Sequence, residues 1–129
     1  MARMSSWKGK TDPILISSST DTEIGTIYVR EGASYLWAEF ANSNDAALDA
    51  FDVSIQPHSE AEFHSIASTN SDYTTDIKIP LQGCSADLTT LAKDTAGMLW
   101  TEVKGVYAIK FTAGTASSDT SITMRWHVR

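Results

Sequence analysis

Cys84 is the only cysteine of the chain, and His58, His64 and His127 are its only histidines. A cysteine nucleophile needs a neighbouring base and an electropositive setting that holds the thiolate. None of the histidines stands in a recognisable partner motif with Cys84, and Thr89 occupies the place where the close Cys/His spacing of a blue-copper sandwich would put a histidine. A lone cysteine also closes no intrachain disulfide. Cys84 therefore reads as a small, half-buried residue in a connection before a short helical turn.

The segment His58-Ser59-Glu60-Ala61-Glu62-Phe63-His64 resembles a metal cluster at first sight. In an extended chain His58, Glu60, Glu62 and His64 share one face, but at ~3.4 Å per residue the two imidazoles stand about 20 Å apart. They cannot meet on one zinc, whose ligand bonds are ~2 Å long. The segment is better read as a solvated strand face opposite a buried Phe63. Asp45, Asp49 and Asp52, and further on Asp72 and Asp76, lack the spacing and the closing glutamate of a calcium loop. No metal and no cofactor is expected. Glu39 lies two residues from Trp37, and Glu102 two from Trp100, which is the composition of a sugar site or of a glycosidase carboxylate pair. No nucleophile elbow, phosphate loop or dinucleotide fingerprint accompanies them, and no enzyme is expected.

What remains are side chains suited to contact. Tyr35, Trp37, Trp100 and Tyr107 are more aromatic surface than a thin core must hold, and aromatics bury much area at little entropic cost. Arg3, Lys8 and Lys10 give the N-terminus a basic character, either as a frayed end or as an arm that docks on an acidic partner surface. These seven residues are the candidate partner-binding set.

The elements that must position them are strands. Residues 51–56 and 122–129 alternate apolar and polar with period two, the signature of a sheet with one wet face. Residues 33–40 are apolar on both faces, with Leu36, Ala38 and Phe40 on one side and Tyr35, Trp37 and Glu39 on the other. In residues 106–111, Tyr107, Ile109 and Phe111 share a side. Shorter strands are expected at 14–17, 23–29, 61–66, 75–79 and 98–103. Turn-formers separate them: Arg30-Glu31-Gly32, Asn42-Ser43-Asn44-Asp45, whose side chains bond back to nearby backbone, residues 68–72, Lys104-Gly105 as a hairpin, and the polar loops 17–22 and 112–120. One helical turn is expected at 87–92, capped by Ser85. The fold class is all-β: an antiparallel β-sandwich, jelly-roll-like, of about seven to nine strands with at most one short helical turn. Residues 1–20 form an arm and first strand belonging to the same domain as the sandwich of residues 21–129.

At 129 residues, 42% hydrophobic and 20% charged, the chain has the material for one packed core. Its net charge of −6 disfavours general binding to a phosphate backbone. No apolar run approaches the ~18 residues of a membrane span, and no signal-peptide core follows the basic start. Synthesis in a cytoplasm is expected, without nucleic acid or membrane as partner.

The stretch Asn42-Ser43-Asn44-Asp45-Ala46-Ala47-Leu48-Asp49-Ala50-Phe51-Asp52-Val53 resembles a turn-then-strand phrase of small β-sandwich accessory proteins of tailed-phage virions: Asn, small residues, Leu, two residues, Phe, one residue, Val. Residues 99–111 resemble the closing hairpin of such proteins, and 122–129 the strand that completes the sheet. The resemblance, over residues 20–129, implies a capsid decoration, cement, head-fibre or neck component. It implies a homo-oligomer, most readily a trimer, bound to the major capsid protein or another virion protein, and it offers no catalytic residue. The reading from the residues alone keeps a carbohydrate-binding module as the alternative.

Overall fold

The computed structural model describes residues 3–4, 8–43, 45–67, 81–84 and 88–129. Among them are eleven strands: β1 (Arg3–Met4), β2 (Lys8–Lys10), β3 (Ile14–Ile16), β4 (Thr22–Tyr28), β5 (Tyr35–Asn42), β6 (Ala50–Gln56), β7 (His64–Ala67), β8 (Leu81–Cys84), β9 (Ala96–Glu102), β10 (Ala108–Gly114) and β11 (Thr120–Val128). Eight of these have four or more residues, and the only helical element among the described residues is a single 3-10 turn at Leu88–Thr90.

The strands form two sheets. Sheet A runs β1-β4-β10-β6-β7; sheet B runs β2-β11-β5-β9-β8, with β3 also paired to β11. All pairs are antiparallel except β1 with β4. Along the chain β3, β4, β5 and β6 alternate between sheets, β6 and β7 pair side by side in sheet A, β8 and β9 pair in sheet B, and β9, β10 and β11 alternate again. With β2 and β3 counted as one position and β1 and β8 as additions, the order is that of a jelly roll.

Alternation in the sequence becomes burial in the sandwich. Ile122, Met124, Trp126 and Val128 of β11 are buried, as are Leu36, Ala38 and Phe40 of β5, and Phe51 and Val53 of β6. Three phenylalanines tie the sheets together. Phe40 of sheet B meets Phe51 and Phe111 of sheet A edge-on, with ring centroids 5.0 and 5.1 Å apart, a favoured aromatic geometry.

One end of the sandwich is tied by Asn42, buried at the end of β5. Its side-chain amide donates to the carbonyls of Ala46 (2.8 Å), Leu91 (3.1 Å) and Ala92 (3.2 Å), and its Oδ1 accepts from the Thr120 hydroxyl (2.8 Å). The expected side-chain-to-backbone bonding of the 42–45 cluster is present, and it reaches further than one turn: it joins the loop before β6 to the segment around the 3-10 turn.

Several sequence expectations need correction. Residues 104–105 are not a hairpin tip, because β9 and β10 lie in different sheets. Val103 and Val106 are both buried on either side of this turn, where the chain crosses from one sheet to the other, and Gly105 supplies the φ of +83° that closes it. The strand expected at 61–66 starts only at His64. Residues 58–61 instead make a turn in which Ala61 N–H donates to the His58 carbonyl and Glu60 N–H to His58 Nδ1. Cys84 belongs to β8, paired with Leu99, rather than to a connection. Lys8 and Lys10 are not frayed, since they sit in β2 hydrogen-bonded to β11. The turn at 68–72, the strand at 75–79, Ser85, Asp72 and Asp76 lie outside the described residues.

Candidate contact face on sheet B

The outer face of sheet B is built by register. In an antiparallel pair, residues directly opposite point to the same side. Trp37 of β5 stands opposite Trp100 of β9 and His127 of β11, and His127 stands opposite Lys8 of β2. Two residues along, Glu39 stands opposite Met98 and Arg125, and Arg125 opposite Lys10. Two residues the other way, Tyr35 stands opposite Glu102, and it exchanges both backbone hydrogen bonds with Arg129 at 2.9 Å. The intervening residues, Leu36, Ala38, Leu99, Trp126 and Val128, face the core and are buried.

The two tryptophans therefore meet because their strands run in opposite directions at matching register. Their rings are parallel to within 5°, with centroids 6.0 Å apart. Tyr35 packs against both, at 5.8 and 6.0 Å, and His127 lies 6.1 Å from Trp37 on the other side. The Arg129 guanidinium lies 5.9 Å from the Trp37 ring centroid, within cation–π range. Tyr35 and Met98 each keep 38% of their surface exposed, and Trp37 and Trp100 are half-buried. Next to the rings, Arg125 Nη1 and Glu39 Oε1 are 3.4 Å apart.

The same antiparallel register throws the glutamates apart. Glu39 is level with Met98, four residues from Glu102, which is about 14 Å along the strands. Glu39 also turns toward β11, away from β9. Carboxyl pairs of glycosidases stand ~5–9.5 Å apart, so the two Trp–Glu neighbourhoods do not make such a pair.

Gly9 lets the basic edge join this face. It pairs with Trp126 on the core side, and a Cβ there would collide with the six-membered ring of that buried indole. With no side chain at residue 9, β2 lies flat against β11 and both lysines point outward, level with His127 and Arg125. Both lysines are exposed.

Of the seven residues singled out in the sequence, the structure brings Lys8, Lys10, Tyr35, Trp37 and Trp100 onto one surface. Tyr107 belongs elsewhere. It sits just before β10 in the crossing between sheets, 37% exposed, and meets Tyr28 edge-on at 5.7 Å. It therefore leaves the inward side that Ile109 and Phe111 occupy. Arg3 is on β1 beside β4 in sheet A, and its side chain lies outside the described atoms. Sequence reasoning missed Met98, Arg125, His127 and Arg129. The alternation of residues 122–129 already placed the last three on one polar face; what it lacked was the knowledge that β11 lies next to β5.

The other candidates stay scattered. His58 and His64 are exposed on a turn and a strand start, Asp45 accepts from the Ser43 hydroxyl (3.1 Å), and Asp52 accepts from the hydroxyls of Ser54 and Ser65. Among the described residues no group of three or more His, Cys, Asp or Glu side chains could hold a metal ion, and no helix is long and apolar enough to cross a membrane. Neither a protein-family model nor a curated protein matches this sequence.

Proposed function

We propose that this chain is a virion structural protein, a capsid decoration, cement or head-associated component that oligomerises and attaches to the shell. It is made in the host cytoplasm and carried in the particle. The observation that carries this reading is the outer face of sheet B. Tyr35, Trp37, Trp100 and Met98 present large apolar side chains on one sheet face, rimmed by Lys8, Lys10, Arg125 and Glu39. A core of aromatics within a charged rim is how a protein–protein contact is built. Jelly rolls are a recurrent architecture of viral shells and of lectins, and the sequence resemblance to phage accessory proteins favours the first. The protein should copurify with particles in fixed stoichiometry and leave them when Trp37 and Trp100 are replaced by alanine. Its absence from purified particles would overturn the reading.

A carbohydrate-binding module is the second reading, favoured by the parallel, half-exposed indoles of Trp37 and Trp100, on which a pyranose ring could stack. Binding on a glycan array, with a change in tryptophan emission on adding the same saccharide, would support it. Silence in both would remove it.

A further inference from the structure

The chemistry of the sheet B face is divided by a line parallel to its strands. On one side, β2 and β11 carry Lys8, Lys10, Arg125 and His127, and Arg129 continues the row. On the other, β5 and β9 carry Tyr35, Trp37, Glu39, Met98, Trp100 and Glu102. Among the described residues the face sets Lys8, Lys10, Arg125 and Arg129 against the carboxylates Glu39 and Glu102. Its described charges are thus mostly cationic, with an aromatic and acidic half, on a chain whose net charge is −6.

We propose that the partner of this face is the same face of a second copy, related by a two-fold axis that lies in the interface, parallel to the strands, between β11 and β5. This deepens, and rests on, the reading of the face as a protein contact. A two-fold contact must be self-complementary, and rotation about that axis lays each basic strand over an aromatic or acidic one. Arg125 comes over Glu39 of the partner subunit, His127 over Trp37 of the partner subunit, Lys8 over Trp100 of the partner subunit, and Lys10 over Met98 of the partner subunit. The rows match Arg125 with a carboxylate and Lys8 with a π face. The two Arg125–Glu39 pairs close into a four-charge ring. The strands of the two sheets stay aligned, as packed sheets favour.

The area suffices. β11, β5 and β9, at ~4.8 Å spacing over about seven residues each, project to roughly 14 by 24 Å, and the three residues of β2 add about 5 by 10 Å; with side-chain relief two such faces bury on the order of 1,000 Å², the low end for a specific interface.

The geometry makes an unusual demand on charge reversal. Arg125→Glu places Glu over Glu in its own pair, and Glu39→Arg places Arg over Arg, so each variant alone should be monomeric, with dimerisation weakened about tenfold or more. Mixed one to one, the variants restore both contacts at once, because Glu at position 125 of one chain meets Arg at position 39 of the other, and the reverse. Native mass spectrometry should show a heterodimer with one copy of each, and the chain carrying both changes should return to a homodimer even if either single variant folds poorly. A wild-type chain that sediments as a monomer throughout the micromolar range overturns the proposal. So does a trimer, which cannot set this face against itself, or variants that do not pair on mixing. A dimer missing from particles would sink the virion reading alone. A monomer bound to particles through Trp37 and Trp100 would sink the dimer alone. A monomer whose tryptophan emission responds to saccharide would assign the face to a glycan instead.

Discussion

The outer faces of the two sheets differ in how their own chain finishes them. On sheet A the outward residues are mostly small and polar, and they bond to one another. Thr26 donates to Glu23 (3.2 Å), Ser54 and Ser65 donate to Asp52, and Gln56 reaches back to the Ala61 carbonyl (2.9 Å). The one long cation in the middle, Lys110, lies 4.3 Å from the centre of the Phe63 ring, supplied by the loop before β7. Sheet B puts three aromatic rings, a methionine and a fringe of Lys and Arg in the same position. Hydrophobic area is best buried against something. Sheet A finishes its outer face with its own hydrogen bonds, and sheet B is the face to which we assign the proposed contact.

The largest expected effect lies beneath both faces and should not distinguish them. Phe40→Ala removes the ring that joins Phe51 and Phe111 across the sheets. It should cost about 3–5 kcal/mol of stability by urea denaturation, with assembly lost only because the fold is lost. Gly9→Ala comes next and should break the comparison from one side. The added Cβ forces either Trp126 or β2 to move, costing roughly 1–3 kcal/mol. Hydrogen exchange should then quicken in residues 8–10 while sheet A keeps its protection, and the lysine edge of the face is displaced. Protection unchanged at residues 8–10 would mean that β2 does not depend on the space at Gly9.

A matched pair sharpens the contrast. Trp37→Ala takes a half-buried ring from sheet B, and Thr26→Val takes a hydrogen-bonded hydroxyl from sheet A. Each should cost about 1 kcal/mol in the isolated chain. Only Trp37→Ala should abolish self-association or attachment, read by sedimentation or particle binding. Equal effects of both on assembly would erase the distinction between the faces.

The sequence was most legible where burial alone decides. Period two in residues 122–129 foretold the burial of Ile122, Met124, Trp126 and Val128, though not that of Thr120 at the start of β11, and the pattern of residues 33–40 separated Leu36, Ala38 and Phe40, which the structure buries, from Tyr35, Trp37 and Glu39 on the other face. Partner strands were not legible, because alternation names the face of a residue and not its neighbour across the sheet. The meeting of Trp37 with Trp100, the separation of Glu39 from Glu102 and the place of Arg125 all follow from strand order. Lys8-Gly9-Lys10 carries no strand signal at all. It becomes a strand because β11 offers a free edge, and because Gly9 leaves room for an indole from a residue more than a hundred positions away.

The smallest effect is the most specific. Arg125 and Glu39 form an ion pair whose side chains are 61% and 43% exposed. Water screens such a pair and the two long side chains resist being fixed, so its share of folding stability is small, within about 0.5 kcal/mol. Arg125→Ala should therefore unfold at nearly the same urea concentration as the wild type, at low and at high salt. Held against another protein surface, the same two charges lose part of their water and act on one another more strongly. Self-association of the wild type should thus weaken as salt rises, and Arg125→Ala should flatten that dependence while leaving the unfolding midpoint in place. A midpoint that shifts as much as the association does would move the pair from the contact surface into the fold, and sheet B would then owe its charges, like sheet A, to its own stability.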